Sequence, residues 1–172
     1  MFQSERSLPR RLGTIISLFV LLAISSMPVV AGEYDNALKD VKGVKVVFDV
    51  GLGEPKVANA VFWAVRNSYE DKTVQGLPEK PRMAMVFHGP AVKLLAKDTS
   101  GFPEGARGEI AKFQEMIRQL KKDGVKLEVC LYAAKVMGVD PTTIMPEIDQ
   151  VGNGFISVIG YQAQGYSVIV IP

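Results

Sequence analysis

Short apolar runs alternate with amphipathic stretches along most of this chain of 172 residues. The apolar runs are rich in branched residues and are bounded by glycine, proline or polar residues, as in strands buried within a sheet. Between the runs, apolar residues recur three or four positions apart, which predicts amphipathic helices. The predicted strands are residues 44–50, 82–88, 125–130 and 166–171, with a short edge strand at 147–151. The predicted helices are residues 55–67, 107–123 and 133–137, and residues 71–81 form a polar loop.

The stretch Phe155–Gln164 is compatible with two structures. Its branched residues favour a strand, but Gln162-Ala163-Gln164 extends it and Gly165 occupies the position of a helix C-cap. We therefore predict a helix here, and we expect Gly124 to end the preceding long helix in the same way. The alternation of strands and helices predicts an α/β fold in which helices cover both faces of a parallel sheet.

The segment Met1–Ala31 has the pattern of a secretory signal. Arg6, Arg10 and Arg11 precede an apolar run from Ile15 to Ile24, and small residues lead up to Ala31. Cleavage after Ala31 is expected, which predicts a periplasmic or secreted protein. The apolar run is shorter than the about 20 residues that a membrane-spanning helix needs, so no stable membrane span is expected after cleavage. An uncleaved anchor is the alternative.

Removal of this segment changes the charge of the chain. The full chain has 20 basic and 18 acidic residues, of which three arginines and one glutamate lie in the signal. The segment Gly32–Pro172 therefore carries equal numbers of basic and acidic side chains and is neutral overall, so no nucleic-acid partner is expected. Its length suits one domain, with a lead-in at residues 32–43 and the α/β domain at residues 44–172.

Cys130 is the only cysteine, and it ends the third predicted strand. In an open parallel sheet, ligands bind just beyond the carboxyl ends of the strands. Backbone N–H groups at the start of the helix that follows, together with the cation of Lys135, can stabilise a thiolate at this position, although Lys135 can equally face solvent. The alternative is a buried, inert cysteine that acts as a small hydrophobic residue.

His88 is the only histidine, and it ends the second predicted strand before Gly89 and Pro90. Because both strand ends lie at one edge of the sheet, His88 can serve as the base for a Cys130 nucleophile. The alternative is that His88 caps a turn through a backbone hydrogen bond. One cysteine and one histidine do not make a metal site, the chain has no Gly-x-Ser-x-Gly motif, and nothing in the sequence indicates a cofactor.

Three segments carry a resemblance to a known family. They are Val86-Phe87-His88-Gly89-Pro90-Ala91-Val92-Lys93-Leu94-Leu95, then Gly124-Val125 with Val129-Cys130 and Ala133-Ala134, then Gln164-Gly165-Tyr166. In their order and spacing they resemble the DsrE/DsrF-like family of small sulfur-relay proteins, from about Val44 to Pro172. The resemblance implies a flavodoxin-like three-layer αβα sandwich with a mainly parallel five-stranded sheet. It also implies homo-oligomers, often trimers or hexamers.

The resemblance further implies a role for Cys130. In the better understood members, the cysteine after the third strand takes up sulfane sulfur as a persulfide and passes it to a thiol of a partner protein. We therefore expect Cys130 to be the reacting residue of a sulfurtransferase or sulfur carrier. His88 is then an auxiliary polar group, and the peptide groups of Gly89 and Leu131 help to hold an anion.

Two features depart from the family pattern. Sulfur-relay members are typically cytoplasmic, whereas this chain has an export signal. Some members have basic residues shortly after the cysteine, where this chain has Val136-Met137-Gly138 and only Lys135 nearby. The alternative function is a non-catalytic oligomeric module that binds a small ligand or a protein and has a structural cysteine. A thiol-disulfide oxidoreductase is disfavoured because there is no Cys-x-x-Cys motif.

Overall fold

The centre of the fold is a sheet of five parallel strands. The computed structural model describes residues 32–172, so the predicted export signal lies outside the described residues. The strands are β1 (Lys45–Val50), β2 (Arg82–Phe87), β3 (Lys126–Cys130), β4 (Asp149–Val151) and β5 (Ser167–Ile171). They lie in the order β4-β3-β2-β1-β5, and every neighbouring pair is parallel. The predicted strands and the parallel sheet are confirmed.

The connections between the strands are mainly helical. The α-helices within residues 32–172 are α1 (Pro55–Glu70), α2 (Lys72–Gln75), α3 (Arg107–Lys122), α4 (Leu131–Val136) and α5 (Gly154–Ala163). Short 3₁₀ helices cover Gly89–Leu95, Glu104–Ala106 and Pro141–Thr143. In this part of the chain, no helix combines the length and the apolar character needed to cross a membrane.

The helix prediction for Phe155–Gln164 is confirmed as α5. The helix begins where the Asn153 side chain accepts the N–H of Phe155 at 3.0 Å, and it ends before Gly165, which has a φ of +82°. Gly124 has a φ of +89° at the end of α3. Both glycines therefore occupy the left-handed conformation that a helix C-cap requires and that other residues rarely adopt.

Two local predictions were wrong. Residues 71–81 contain the single-turn helix α2, because the Asp71 carboxylate accepts the N–H of Thr73 at 2.7 Å and caps it. One turn is too short to show an apolar repeat. Helix α4 begins at Leu131, two residues before the predicted start, because Cys130 itself caps that helix.

The two faces of the sheet are covered unequally. Helices α1 and α3, with the 3₁₀ turn at Gly89–Leu95, pack over one face and form the larger core. Helix α5 covers the other face, where Val158 and Tyr161 contact strand residues such as Val86. A helix that lies on a sheet packs only one of its sides against the strands. The outward apolar residues of α5 are therefore exposed, and they are Phe155, Ile156 and Ile159.

Candidate functional site

Cys130 lies where β3 ends and α4 begins. Its Sγ accepts the N–H of Ala133 at 3.4 Å, as the N-cap of the helix. A Cβ on Gly154 would lie 3.1 Å from the Cβ of Cys130, so the start of α5 also abuts the cysteine. Only 5% of Cys130 is exposed to solvent. The thiol is therefore held between the first turns of two helices.

Strand pairing brings His88 beside Cys130. Strands β2 and β3 are in parallel register, with Val86 opposite Glu128 and Phe87 opposite Val129. Continued by one residue, this register sets His88 opposite Cys130 on the adjacent strand end. Neighbouring strands lie about 4.8 Å apart. His88 and Cys130, which the sequence placed at the same edge of the sheet, are thus neighbours on adjacent strands.

Both side chains open on one cavity of about 260 Å³ at the carboxyl edge of the sheet. The cavity is lined mainly by apolar side chains, together with the imidazole and an amide. The lining residues are His88, Gly89, Cys130, Tyr132, Ala133, Val136, Met137, Asn153 and Phe155. Of the five residues singled out from the sequence, this cavity brings together His88, Gly89 and Cys130. Leu131 and Lys135 are not among the lining residues.

His88 has a partner that the sequence did not reveal. Its Nε2 lies 2.8 Å from Oδ1 of Asp49, the penultimate residue of β1. Its ring centroid is 6.0 Å from that of Phe155. Among the described residues, the imidazole makes no capping hydrogen bond to the turn that follows. The sequence feature that could have pointed to Asp49 is the single carboxylate within the mostly apolar segment Val44–Val50.

The glycines after β1 allow this arrangement. A Cβ on Gly51 would lie 3.3 Å from Cε1 of His88, and a Cβ on Gly53 would overlap the Pro90 ring. The turn after β1 and the turn after β2 therefore pack backbone against backbone. This close approach sets the position of His88 above the end of β1.

The cavity carries little charge. None of the lysines and arginines within residues 32–172 lines it. In the same part of the chain, no group of three or more His, Cys, Asp or Glu side chains could hold a metal ion. A somewhat larger cavity of about 310 Å³ is also lined by Met137, but it contains neither the thiol nor the imidazole. We therefore place the candidate chemistry in the smaller cavity.

Comparison with known proteins gives one family and a set of similar folds. The family model described as DsrE/DsrF-like matches residues 45–171. The protein of unknown function MTH1491 from Methanobacterium thermoautotrophicum is 20% identical, with a TM-score of 0.54 over 74% of this chain and 98% of its own. The ychN protein from E. coli is 13% identical, with a TM-score of 0.51 over 74% of this chain and 100% of its own. At these identities the two structures show the fold alone. Among curated proteins, no match to the sequence is found.

Proposed function

The chain belongs to the DsrE/DsrF-like family, and from this premise we propose that it carries sulfane sulfur as a persulfide on Cys130. Membership of the family suggests a role of the sulfur-relay type. The observation that supports the finer proposal is the cavity onto which Cys130 opens at the carboxyl edge of the sheet. A buried cysteine with only a packing role needs no such access. This edge is also where open α/β sheets bind their ligands.

The proposed chemistry is a transfer of one sulfur atom between thiols. The Cys130 thiolate attacks the outer sulfur of a donor persulfide R–S–SH. A new S–S bond forms on Cys130, the S–S bond of the donor breaks, and R–S⁻ leaves and takes up a proton. A thiolate of an acceptor protein then attacks the outer sulfur of Cys130–S–SH and releases the Cys130 thiolate. Neither step needs an external oxidant or reductant.

The other residues of the site have supporting roles in this proposal. Gly89 lines the cavity, and Leu131 is the first residue of α4. The peptide N–H of Gly89 would hold the anionic sulfur of the donor or of the leaving group, whereas Leu131, which does not line the cavity, would contribute only as part of the first turn of α4. Lys135 lies one turn further along α4 and would contribute at most a long-range positive charge. His88 would act on the proton of the thiol.

Incubation of the purified protein with a polysulfide, followed by intact-mass measurement, tests the proposal. We expect the mass of one sulfur atom to be added, lost on reduction, and absent in Cys130→Ser. The serine variant is a close match, because Oγ can accept the same N–H of Ala133 and keep α4 capped. Equal loading of Cys130→Ser would contradict the proposal.

A second candidate function is a binding module in which the cysteine is structural. The observation that favours it is the low exposure of Cys130, at 5%, together with its hydrogen bond from Ala133. Labelling with a small thiol reagent separates the two functions. A reactive site is labelled in the native protein, whereas a packed cysteine is labelled only after denaturation.

We also propose that the protein forms a homo-oligomer, a trimer or a hexamer, through the outer surface of α5. Phe155, Ile156 and Ile159 are each more than 60% exposed on this helix, and an apolar surface of this kind is typical of an interface. Native mass measurement should give a multiple of the chain mass. Ile156→Asp should reduce that multiple, whereas Val57→Asp on α1 should leave it unchanged. A wild-type monomer at micromolar concentration would refute this proposal.

Export is proposed from the signal pattern of Met1–Ala31. N-terminal sequencing of the protein recovered from a periplasmic or secreted fraction should begin at Gly32. Recovery of a chain that still begins at Met1 would contradict cleavage.

A further inference from the structure

Asp49 places a carboxylate on the same face of the sheet as the reacting cysteine. In the register of β1 and β2, Asp49 lies opposite Val86, and His88 follows Val86 by two residues. Residues two apart along a strand point to the same face. Asp49 and His88 are therefore diagonal neighbours, and Cys130 lies next to His88 on the third strand. These three residues form a row across β1, β2 and β3.

The contact between Asp49 and His88 determines which imidazole nitrogen carries a proton. Oδ1 and Nε2 are both buried and 2.8 Å apart, and neither atom has an aligned hydrogen bond to any partner in the described part of the chain, so they meet as a close polar contact. Two unprotonated acceptors would repel each other at this distance, so Nε2 must carry a hydrogen. Nδ1 is then the nitrogen with a free lone pair. Asp49 thus makes Nδ1 the basic atom of the ring.

The cavity lies beside both the imidazole of His88 and the thiol of Cys130. Its volume of about 260 Å³ exceeds the about 30 Å³ that one water occupies. A water in this cavity can therefore carry a proton from the thiol to the imidazole, which is a path that a general base can use. The side chains of His88 and Asp49 are 28% and 18% exposed. Bulk water is thus largely kept from the pair.

We propose that Asp49 is a positioning residue that makes His88 the general base for Cys130. This inference rests on the proposed reaction at Cys130. The S–H bond of Cys130 breaks, its proton moves to Nδ1 of His88, and the thiolate attacks the sulfane sulfur. The Asp49 carboxylate stabilises the imidazolium that forms. When R–S⁻ leaves, it takes the proton from Nδ1, so the net change is Cys130–SH plus R–S–SH to Cys130–S–SH plus R–SH.

The rate of Cys130 alkylation by iodoacetamide tests the relay without any sulfur donor. General-base assistance contributes about 10²–10⁴-fold to rates, so we expect Asp49→Asn and His88→Gln each to slow alkylation by at least about tenfold. Because Asp49 acts through His88, the double variant should be no slower than His88→Gln alone. Added imidazole should accelerate His88→Ala more than the wild type. If Asp49 and His88 served only to stabilise the fold, neither the absence of further slowing in the double variant nor the acceleration by imidazole would be expected.

The control is Asp123→Asn, at the C-terminal end of α3 and therefore at the opposite edge of the sheet from Cys130. It should be alkylated at the wild-type rate. Thermal unfolding of each variant confirms the fold, and Asp49→Ser provides a second substitution if Asp49→Asn does not fold. A wild-type rate for Asp49→Asn, or a further slowing in the double variant, would overturn the relay.

The alkylation and sulfur-loading experiments fail independently. If the wild type takes up no sulfur but Asp49→Asn still slows alkylation, the persulfide function is rejected and the proposed base assistance of the thiol remains. Normal loading with no effect of Asp49→Asn on alkylation would reject the relay alone.

Discussion

Replacement of Phe62 by alanine should remove a large part of the stability of the fold. Phe62 is completely buried on α1. Its ring stacks on Phe87 of β2 at a centroid distance of 5.9 Å and meets the ring of Phe113 of α3 edge-on at 4.9 Å. It therefore joins α1, α3 and the sheet in the larger core. No other aromatic side chain of α1 is buried in this way.

The magnitude follows from these contacts. Burial of a phenylalanine side chain contributes about 1.5–3 kcal/mol, and the cavity left behind brings the usual cost of Phe→Ala to about 3–5 kcal/mol. Loss of two aromatic pairs adds to the cost, so we expect a loss of about 4 kcal/mol in the free energy of unfolding. With a urea dependence of about 2 kcal/mol per molar, the unfolding midpoint should fall by about 2 M.

The neighbouring residue provides a matched control. Trp63 is larger than Phe62 but is 68% exposed, so Trp63→Ala should cost less than about 1 kcal/mol. Urea unfolding followed by far-ultraviolet circular dichroism measures both variants, because this signal does not depend on the tryptophan. Similar midpoints for the two variants would refute the assignment of the core side of α1.

Two other predictions concern Tyr161 on helix α5 and Gly53 in the turn after β1. Burial, and then the hydrogen bond to Glu128 at 2.7 Å, raise the pKa of Tyr161. Its protonated form therefore stabilises the fold below the ordinary tyrosine pKa of about 10, and this stability is lost as the pH rises above that value. Between about pH 8 and 11, the urea unfolding midpoint should fall less steeply with pH in Tyr161→Phe than in the wild type. Parallel pH profiles of the two proteins would contradict this reasoning. Gly53→Ala should cost about 1–3 kcal/mol by overpacking and should slow Cys130 alkylation, because its methyl group would overlap Pro90. Gly105→Ala, with no neighbouring atom within 4 Å of the added Cβ, is the control, and equal unfolding midpoints for these two variants would contradict the overlap.

Much of the fold was predictable because its signals are local. Apolar runs marked the strands, and a repeat of three to four residues marked α1 and α3. Gly165 at a helix C-cap decided the assignment of α5, whose branched residues alone favour a strand. The helix α2 was missed because its single turn depends on one cap at Asp71 rather than on a repeat.

The candidate site was predictable only in part. The sequence placed Cys130 and His88 at the ends of strands, because each follows an apolar run. It could not show that β1, β2 and β3 lie side by side, that Asp49 meets Nε2 of His88, or that the thiol is buried against the start of α5. Each of these depends on strand order and register, which are set by contacts between residues far apart in the chain. The types and bounds of the elements follow from neighbouring residues, whereas the proposed chemistry of Cys130 depends on side chains that only the assembled sheet brings together.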